Sequence, residues 1–327
     1  MATKPLSQFF NKHLERHKEE SATGVPTYPR NSTFLVADAG DMGTKFGVEV
    51  LAVETQGKMA SVSVVYEPLT NTCAYRTNNV AGLSIPQRHY GECSQLLIDG
   101  RLVKTNIQTA QDLILHRTTD GWAHVQSAEG IYRRKRQNGA MDAILRTHGA
   151  FSIVEHSPGV ESIALQISRN LCQYYNADTD ITNNYTQALL RPGNVLSVAV
   201  GQDLPENPHW RKPIRVSADG LDIVYDNGLY RWDASDALGL AAVFLRPLHG
   251  DKLELVVWAA DVSGLSIAAR LVPMLTGSGQ PDFIVADQEM LWRGVAGVLA
   301  MGFYDWLWEV TPQSHLYRHR SPWERAG

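Results

Sequence analysis

Asp261, Ser266 and Asp287 are the residues of this chain whose types and positions suit them best to chemistry. Each stands at or just beyond the end of a run that reads as a buried strand, and in an open α/β sheet ligands sit beyond the carboxyl ends of the strands. Asp261 closes LELVVWAAD and Asp287 closes PDFIVAD. Ser266 lies in Gly264-Leu265-Ser266-Ile267-Ala268, between a strand and a helix, where a nucleophile elbow places a reactive serine. The two aspartates could act as bases or metal ligands, while the plain reading is that each caps a helix or closes a turn. The full elbow is G-x-S-x-G, and Ala268 stands where its second glycine belongs. A Ser266, Asp287, His315 triad would also draw its histidine from a polar tail, so an ordinary first-turn serine outweighs it. Glu155, His156 and Ser157, after an earlier strand, and Gly201 to Asp203, after the next, complete an acid-rich rim.

The elements that must position these residues lie mainly between Leu238 and Phe303. There LGLAAVFLRPL, KLELVVWAAD, SGLSIAARLVPMLT and PDFIVAD follow one another across short joints. Near-continuous apolar runs suit strands buried on both faces, as when helices cover a parallel sheet. Upstream, AFSIVEH reads as a strand and Ser157-Pro158 as a helix start. Ile163, Ile167, Leu171 and Tyr174 fall on one face of the helix that follows, before the strand NVLSVAVG. Strand, helix, strand implies a parallel pair. The expected fold of residues 150–310 is therefore a Rossmann-like three-layer α/β domain with a mostly parallel sheet. LDIVYDNGLYRW adds a hairpin around Asp226-Asn227-Gly228.

Residues 33–126 change pattern to short alternating runs between turn residues. FGVEVLAVE and MASVSVVYE read as a hairpin across Gln56-Gly57; Asp99-Gly100 and Asp120-Gly121 mark two further hairpins. An antiparallel β-sandwich is expected here. Residues 1–32 read as a short surface helix, from Gln8 to Glu20, and a linker; residues 127–149 as a second linker carrying the basic run IYRRKR; residues 311–327 as a surface tail. The basic run reads as a solvated connector, with a phosphate contact as the lesser alternative.

A length of 327 residues and 44% hydrophobic content fit about two globular domains. A net charge of −4 with mixed signs gives no global reason to expect nucleic acid, and no run reaches the length of a membrane span. Neither partner is expected; a small molecule or a protein is. Glycines 40, 43 and 47 fit no phosphate-cradling pattern, and no metal motif occurs, so no cofactor and no dedicated metal site is expected. Cys73, Cys93 and Cys172 form no framework, although the first two could pair. With no apolar core of signal-peptide length at its start, the chain reads as cytoplasmic, or as secreted if the N-terminus is truncated. Asn31-Ser32-Thr33 and Asn184-Tyr185-Thr186 match the glycosylation acceptor pattern, which matters only in the secretory pathway; both read as chance matches.

The segments GAMDAILRTHGAFSIVEHS, IALQISRNLCQYYNADT, GNVLSVAVGQDLP, LGLAAVFLRPL, LELVVWAAD and AARLVPMLTGSGQPDFIVAD resemble the C-terminal region of large fungal α/β-hydrolase proteins of the peptidase S9, or prolyl-oligopeptidase-like, kind. LLIDG with TDGWAHV is similar to the β-rich segment that precedes that region. The resemblance runs from about Thr33 to Trp308. In that family the G-x-S-x-G serine lies upstream of the matching part, so no catalytic residue carries over. The resemblance implies a fungal source and an association with hydrolase chemistry.

Two functions follow as expectations. One is a stand-alone relative of the accessory region of such hydrolases, binding a small molecule, glycan or protein partner without a complete serine triad. The other is a small enzyme of a fungal metabolite pathway, with a pocket near Asp261, Ser266 and Asp287.

Overall fold

A computed structural model describes residues 31–317, apart from residues 41, 43, 56–57, 91–92, 104–111, 119, 125–132, 134, 208–209, 211–212 and 273–279, together with residues 8 and 11. Apart from Gln8 and Asn11, both helical, the helix expected over Gln8 to Glu20 lies outside the described residues, as does the Gln56-Gly57 turn.

The first unit holds β1 (Ser32–Val36), β2 (Thr44–Lys45), β3 (Val48–Val53), β4 (Ala60–Glu67), β5 (Thr72–Asn78), β6 (Val80–Ile85), β7 (Gln95–Ile98), β8 (Arg101–Leu102), β9 (Leu113–Thr118) and β10 (Gly121–His124). They form two five-stranded sheets, ordered β1-β4-β5-β7-β8 and β10-β9-β6-β3-β2. Val62, Val64 and Tyr75 of one share a core with Val50, Leu83 and Leu115 of the other. β5 and β7 are parallel, so the first sheet is mixed rather than purely antiparallel. The hairpins at Asp99-Gly100 and Asp120-Gly121 form. The one expected between FGVEVLAVE and MASVSVVYE does not: β3 and β4 belong to different sheets. Alternation along each run sets which face is buried, and both sheets need one, so the pattern does not say which run pairs with which. A Cys73–Cys93 disulfide, with Cα atoms 5.8 Å apart across a separation of 20 residues, staples β5 to the segment before β7. Closing a loop of that length contributes about 3 kcal/mol by the chain-entropy argument.

The second unit contains β11 (Phe151–Glu155), α1 (Glu161–Tyr175), β12 (Thr179–Thr182), α2 (Tyr185–Leu190), β13 (Val195–Val200), β14 (Ile214–Ser217), β15 (Gly220–Tyr225), β16 (Gly228–Asp233), β17 (Ala241–Pro247), β18 (Leu253–Ala259), α3 (Val262–Ala269), β19 (Phe283–Ala286), β20 (Val298–Gly302) and β21 (His315–Leu316). Eight strands make one sheet in the order β12-β11-β13-β18-β17-β19-β20-β21, and β14 to β16 make a separate three-stranded sheet. From β12 to β18 neighbours are parallel. From β18 to β21 every neighbour is antiparallel. This overturns the Rossmann-like three-layer domain with a mostly parallel sheet: the described residues are 43% strand against 19% helix, and their sheets are mixed or antiparallel. The reason is the length of the joint between β17 and β18. Five residues, 248–252, can return the chain only as an antiparallel hairpin, whereas a parallel neighbour needs a crossover of a dozen or more. Double-sided burial, the feature read as parallel, is present throughout β17 and β18, but it reports cover on both faces and not direction.

On one face of the large sheet lie Phe151, Ile153, Leu196, Val198, Leu255 and Val257, covered by α1, α3 and a 3-10 turn at Met141–Leu145. Within α1 the buried residues are Ala164, Ile167 and Leu171; Tyr174, expected on that face, is exposed, because the stripe continues from 167 and 171 at a spacing of four to Tyr175, which packs on the core. The opposite face carries Ser197, Glu254, Arg246 and Phe244.

The two units meet where Trp306 packs on Ala52, Ala81 and Ile114, with the His116 ring stacked 5.1 Å away. Arg146 also pairs with Asp38 beside Gly40, where any Cβ would collide with the guanidinium. The basic run, read as a solvated connector, is anchored at Arg133 and Arg136, the two of its residues whose surroundings are described. Arg133 is fully buried, 2.6 Å from Asp282, and Arg136 holds Asp251 through two bonds of 3.1 and 2.9 Å.

Candidate functional site

The parallel strands β11, β13 and β18 bring their carboxyl ends to one edge of the sheet, as does β19. Part of the expected rim converges there. Ser157 Oγ donates to Asp203 Oδ2 at 2.7 Å and accepts from Val200 N at 2.9 Å. Gly201 offers its carbonyl to the Trp258 indole at 2.7 Å. Glu155 ends β11 beside them, its carboxyl pushed up by burial and by the Glu161 charge.

Asp261, Ser266 and Asp287 are held apart. Asp261 caps α3, accepting from Gly264 N at 3.0 Å and from Ser263 Oγ at 2.5 Å, and these bonds lower its carboxyl's pKa. Ser266 Oγ donates to the Ser263 carbonyl of its own helix at 3.0 Å. Asp287 is buried and accepts from Glu289 N at 2.9 Å. Between the two aspartates runs the backbone of 238–240, hydrogen-bonded to Gln288 N on one side and Ala260 N on the other. His315 lies on β21, paired with Met301 and stacked on Tyr317.

A second group lies in the opposite face, within β13, β17 and β18. Glu254 is completely buried. Its oxygens accept from Arg246 Nε at 2.5 Å, Arg246 Nη2 at 2.8 Å, Tyr185 Oη at 3.0 Å and Ser197 Oγ. Burial alone would raise the Glu254 pKa, but Arg246 and the hydrogen bonds hold it below the ordinary value. Arg246 also donates to the Pro205 carbonyl at 2.9 Å, and its own pKa is raised by Glu254 against the opposing pull of burial. Burial, then the Glu254 charge, pushes up the Tyr185 hydroxyl. At the end of the chain of bonds, His156 Nε2 lies 2.9 Å from Ser197 Oγ.

Ser197, His156 and Glu254 are the residue types of a hydrolase triad in the wrong order. In a working triad histidine sits between the serine and the acid and takes the serine proton. Here the single hydroxyl proton of Ser197 goes to Glu254, so His156 Nε2 must carry a proton and donate to Ser197 Oγ. Ser197 is also wholly buried. The arrangement fixes side chains rather than activating a nucleophile.

Burial depresses the His156 pKa to about 4. An unfolded histidine titrates near pH 6.5. Between those values the unfolded chain takes up a proton that the folded chain does not, so stability rises with pH across the window and is lowest below it. We expect wild type to lose about 3 kcal/mol relative to His156→Gln as pH falls from 7 to 4. Paired urea titrations across that range check this; parallel curves would refute it.

Arg246 also forms part of the wall of a cleft of about 220 Å³ with Pro205, Glu206, Asn207, Trp210 and Arg215. Trp210 and Phe244 stack at 6.4 Å on its apolar side. Composition and spacing did not single out this site, but a signal for it was present. Arg246 and Glu254 are the charged residues inside FLRPL and KLELVV, and an ionised group in a buried run must find an opposite charge. Five residues of turn place them directly across the hairpin.

No family model matches the chain. It is similar to a protein of Arthroderma benhamiae (strain ATCC MYA-4681 / CBS 112371) described as an uncharacterized secreted protein, with 31% identity over 326 residues. The match covers 95% of this chain and 34% of that relative, so the chain spans about a third of the curated relative's length.

Proposed function

We propose that the chain is a binding module of an extracellular fungal protein, and that a glycan or other small polar molecule occupies the cleft beside Arg246. The observation that carries this reading is the pairing of a preformed cleft with a polar network that has its protons already committed. Arg215 offers an exposed charged group at the cleft, and the half-buried Leu204, Pro205 and Val216 offer an apolar lining beside it. Ser266 and Asp261 are bound to their own helix, and Ser197 to Glu254, which supports binding over covalent catalysis. The secreted description of the fungal relative and the Cys73–Cys93 disulfide support an extracellular site of action in place of the cytoplasm. The resemblance to the accessory region of fungal hydrolases agrees with a non-catalytic role, and the reading does not depend on it.

Screening purified protein on an oligosaccharide array, with affinities measured for any hit, tests the reading. Arg215 is exposed, so Arg215→Ala should leave the fold intact while weakening a cleft ligand about tenfold, the loss of one charge-assisted hydrogen bond. Unchanged affinity in this variant would place the ligand elsewhere. Stoichiometric labelling of Ser266 or Ser197 by a fluorophosphonate would overturn the binding reading altogether.

A further inference from the structure

We propose that Asn31 and Asn184 are both N-glycosylated and that their glycans guard the open edges of two sheets. The inference rests on the extracellular reading above. Asn31-Ser32-Thr33 and Asn184-Tyr185-Thr186 match the acceptor pattern, which by itself means little. The fold places them in corresponding positions. Asn31 immediately precedes β1, the edge strand of the sheet β1-β4-β5-β7-β8. Asn184 stands two residues beyond β12, the edge strand of the eight-stranded sheet. The other edges of these same two sheets are β8 and β21, strands of only two residues each. Very short edge strands give an approaching chain little to pair with, whereas β1 and β12 run for five and four residues with one side open among the described residues. Each acceptor thus lies at the longer, more vulnerable edge of its sheet.

Local geometry is compatible with modification. Both asparagines are exposed, as is Thr186 at the required hydroxyl position. Asn31 Oδ1 accepts from Tyr66 N at 3.0 Å, and Asn184 Oδ1 accepts from Gln187 N at 3.0 Å as the cap of α2. Both bonds use the carbonyl oxygen and leave Nδ2, the atom that takes the sugar. In the transfer, catalysed by the host oligosaccharyltransferase, Nδ2 forms a bond to the anomeric carbon of a lipid-linked oligosaccharide. The bond from that carbon to the lipid pyrophosphate breaks, the pyrophosphate leaves, and Nδ2 gives up one proton. The product remains an amide, so the Asn184 cap survives. A bulky, hydrated group at each edge then blocks strand-to-strand docking between copies.

The test uses the full chain behind a supplied signal peptide in a yeast host, so export does not depend on the native start of the protein. Intact mass before and after endoglycosidase is expected to show two glycans on wild type. Thr33→Ala and Thr186→Ala, which keep both asparagines, should each lose one. Light scattering should show a larger associated fraction for enzymatically deglycosylated protein than for the same sample untreated, with matching circular dichroism. A secreted, folded protein lacking sugar at Asn31 or at Asn184 overturns the proposal, and so does equal association with and without glycans. Neither outcome bears on where the native chain resides; finding the native chain confined to the cytosol of its source would defeat the extracellular reading alone.

Discussion

Replacing Arg246 with alanine is expected to destabilise the folded chain by about 3–5 kcal/mol, because it leaves the Glu254 carboxylate charged and unpaired in the interior. Glu254 is fully buried, and two of its four hydrogen bonds come from Arg246. The remaining donors, Ser197 and Tyr185, are neutral and cannot replace a guanidinium. The penalty should shrink as pH is lowered. Without Arg246, burial raises the Glu254 pKa, and a protonated carboxyl has no charge to desolvate. A second substitution separates the cost of a stranded charge from the worth of the pair. Ser197 and Tyr185 donate to different oxygens of Glu254, so Arg246→Met with Glu254→Gln removes both charges, keeps an acceptor for one hydroxyl and offers an N–H to the other, and it should recover most of the loss. Urea unfolding of wild type, the single variant and the double variant gives the three values. A loss under about 1 kcal/mol in Arg246→Ala would mean that the pair is not dry and that this face of the sheet is not the packed interior described above.

Arg133→Ala should cost a similar amount, about 3–5 kcal/mol, for a related reason at a different place. The guanidinium lies 2.6 Å from Asp282, donates to the Gly139 carbonyl at 2.6 Å, and stacks 4.5 Å above the Trp308 ring and 5.8 Å from Tyr304. Burial pushes the Asp282 carboxyl up even with the cation beside it, so removing the cation drives it further in that direction. Asp282 also accepts from Tyr304 N at 2.7 Å, which ties the aromatic group to the same carboxylate. Arg133→Lys is expected to restore little, since an ammonium cannot stack on the indole and cannot reach both acceptors from one plane. Unfolding followed by tryptophan fluorescence checks both variants. Full rescue by lysine would reduce the contact to a simple charge pair.

These two arginines show where the residues alone were informative. The basic run containing Arg133 was legible as charge, yet its neighbourhood along the chain suggested solvent. Its partners, Asp282 and the rings of Tyr304 and Trp308, come from some 150 residues further on, and no local pattern announces such a meeting. Arg246 and Glu254 were closer to legible, because a charge inside an apolar run demands a partner and the turn between them is short. The rim was read from strand order and did bring Ser157 to Asp203. The same logic failed for Asp261 and Asp287, since a strand running the other way is inserted between them.

By itself, the sequence determined the apolar core strands and the tight turns at Asp99-Gly100, Asp120-Gly121 and Asp226-Asn227-Gly228. Alternation, apolar content and the Asp-Gly and Asp-Asn turn pairs are local, and each is set by backbone geometry and solvation within a few residues. Only the tertiary structure decided strand direction and partnership: the mixed eight-stranded sheet, the split of β3 and β4 between two sheets, and the convergence of His156, Ser197, Arg246 and Glu254. The physical reason is that burial free energy depends on how much surface is covered and hardly on which element covers it. Many pairings satisfy one hydrophobic pattern, and the choice among them falls to loop lengths and to buried charges that have one place to go.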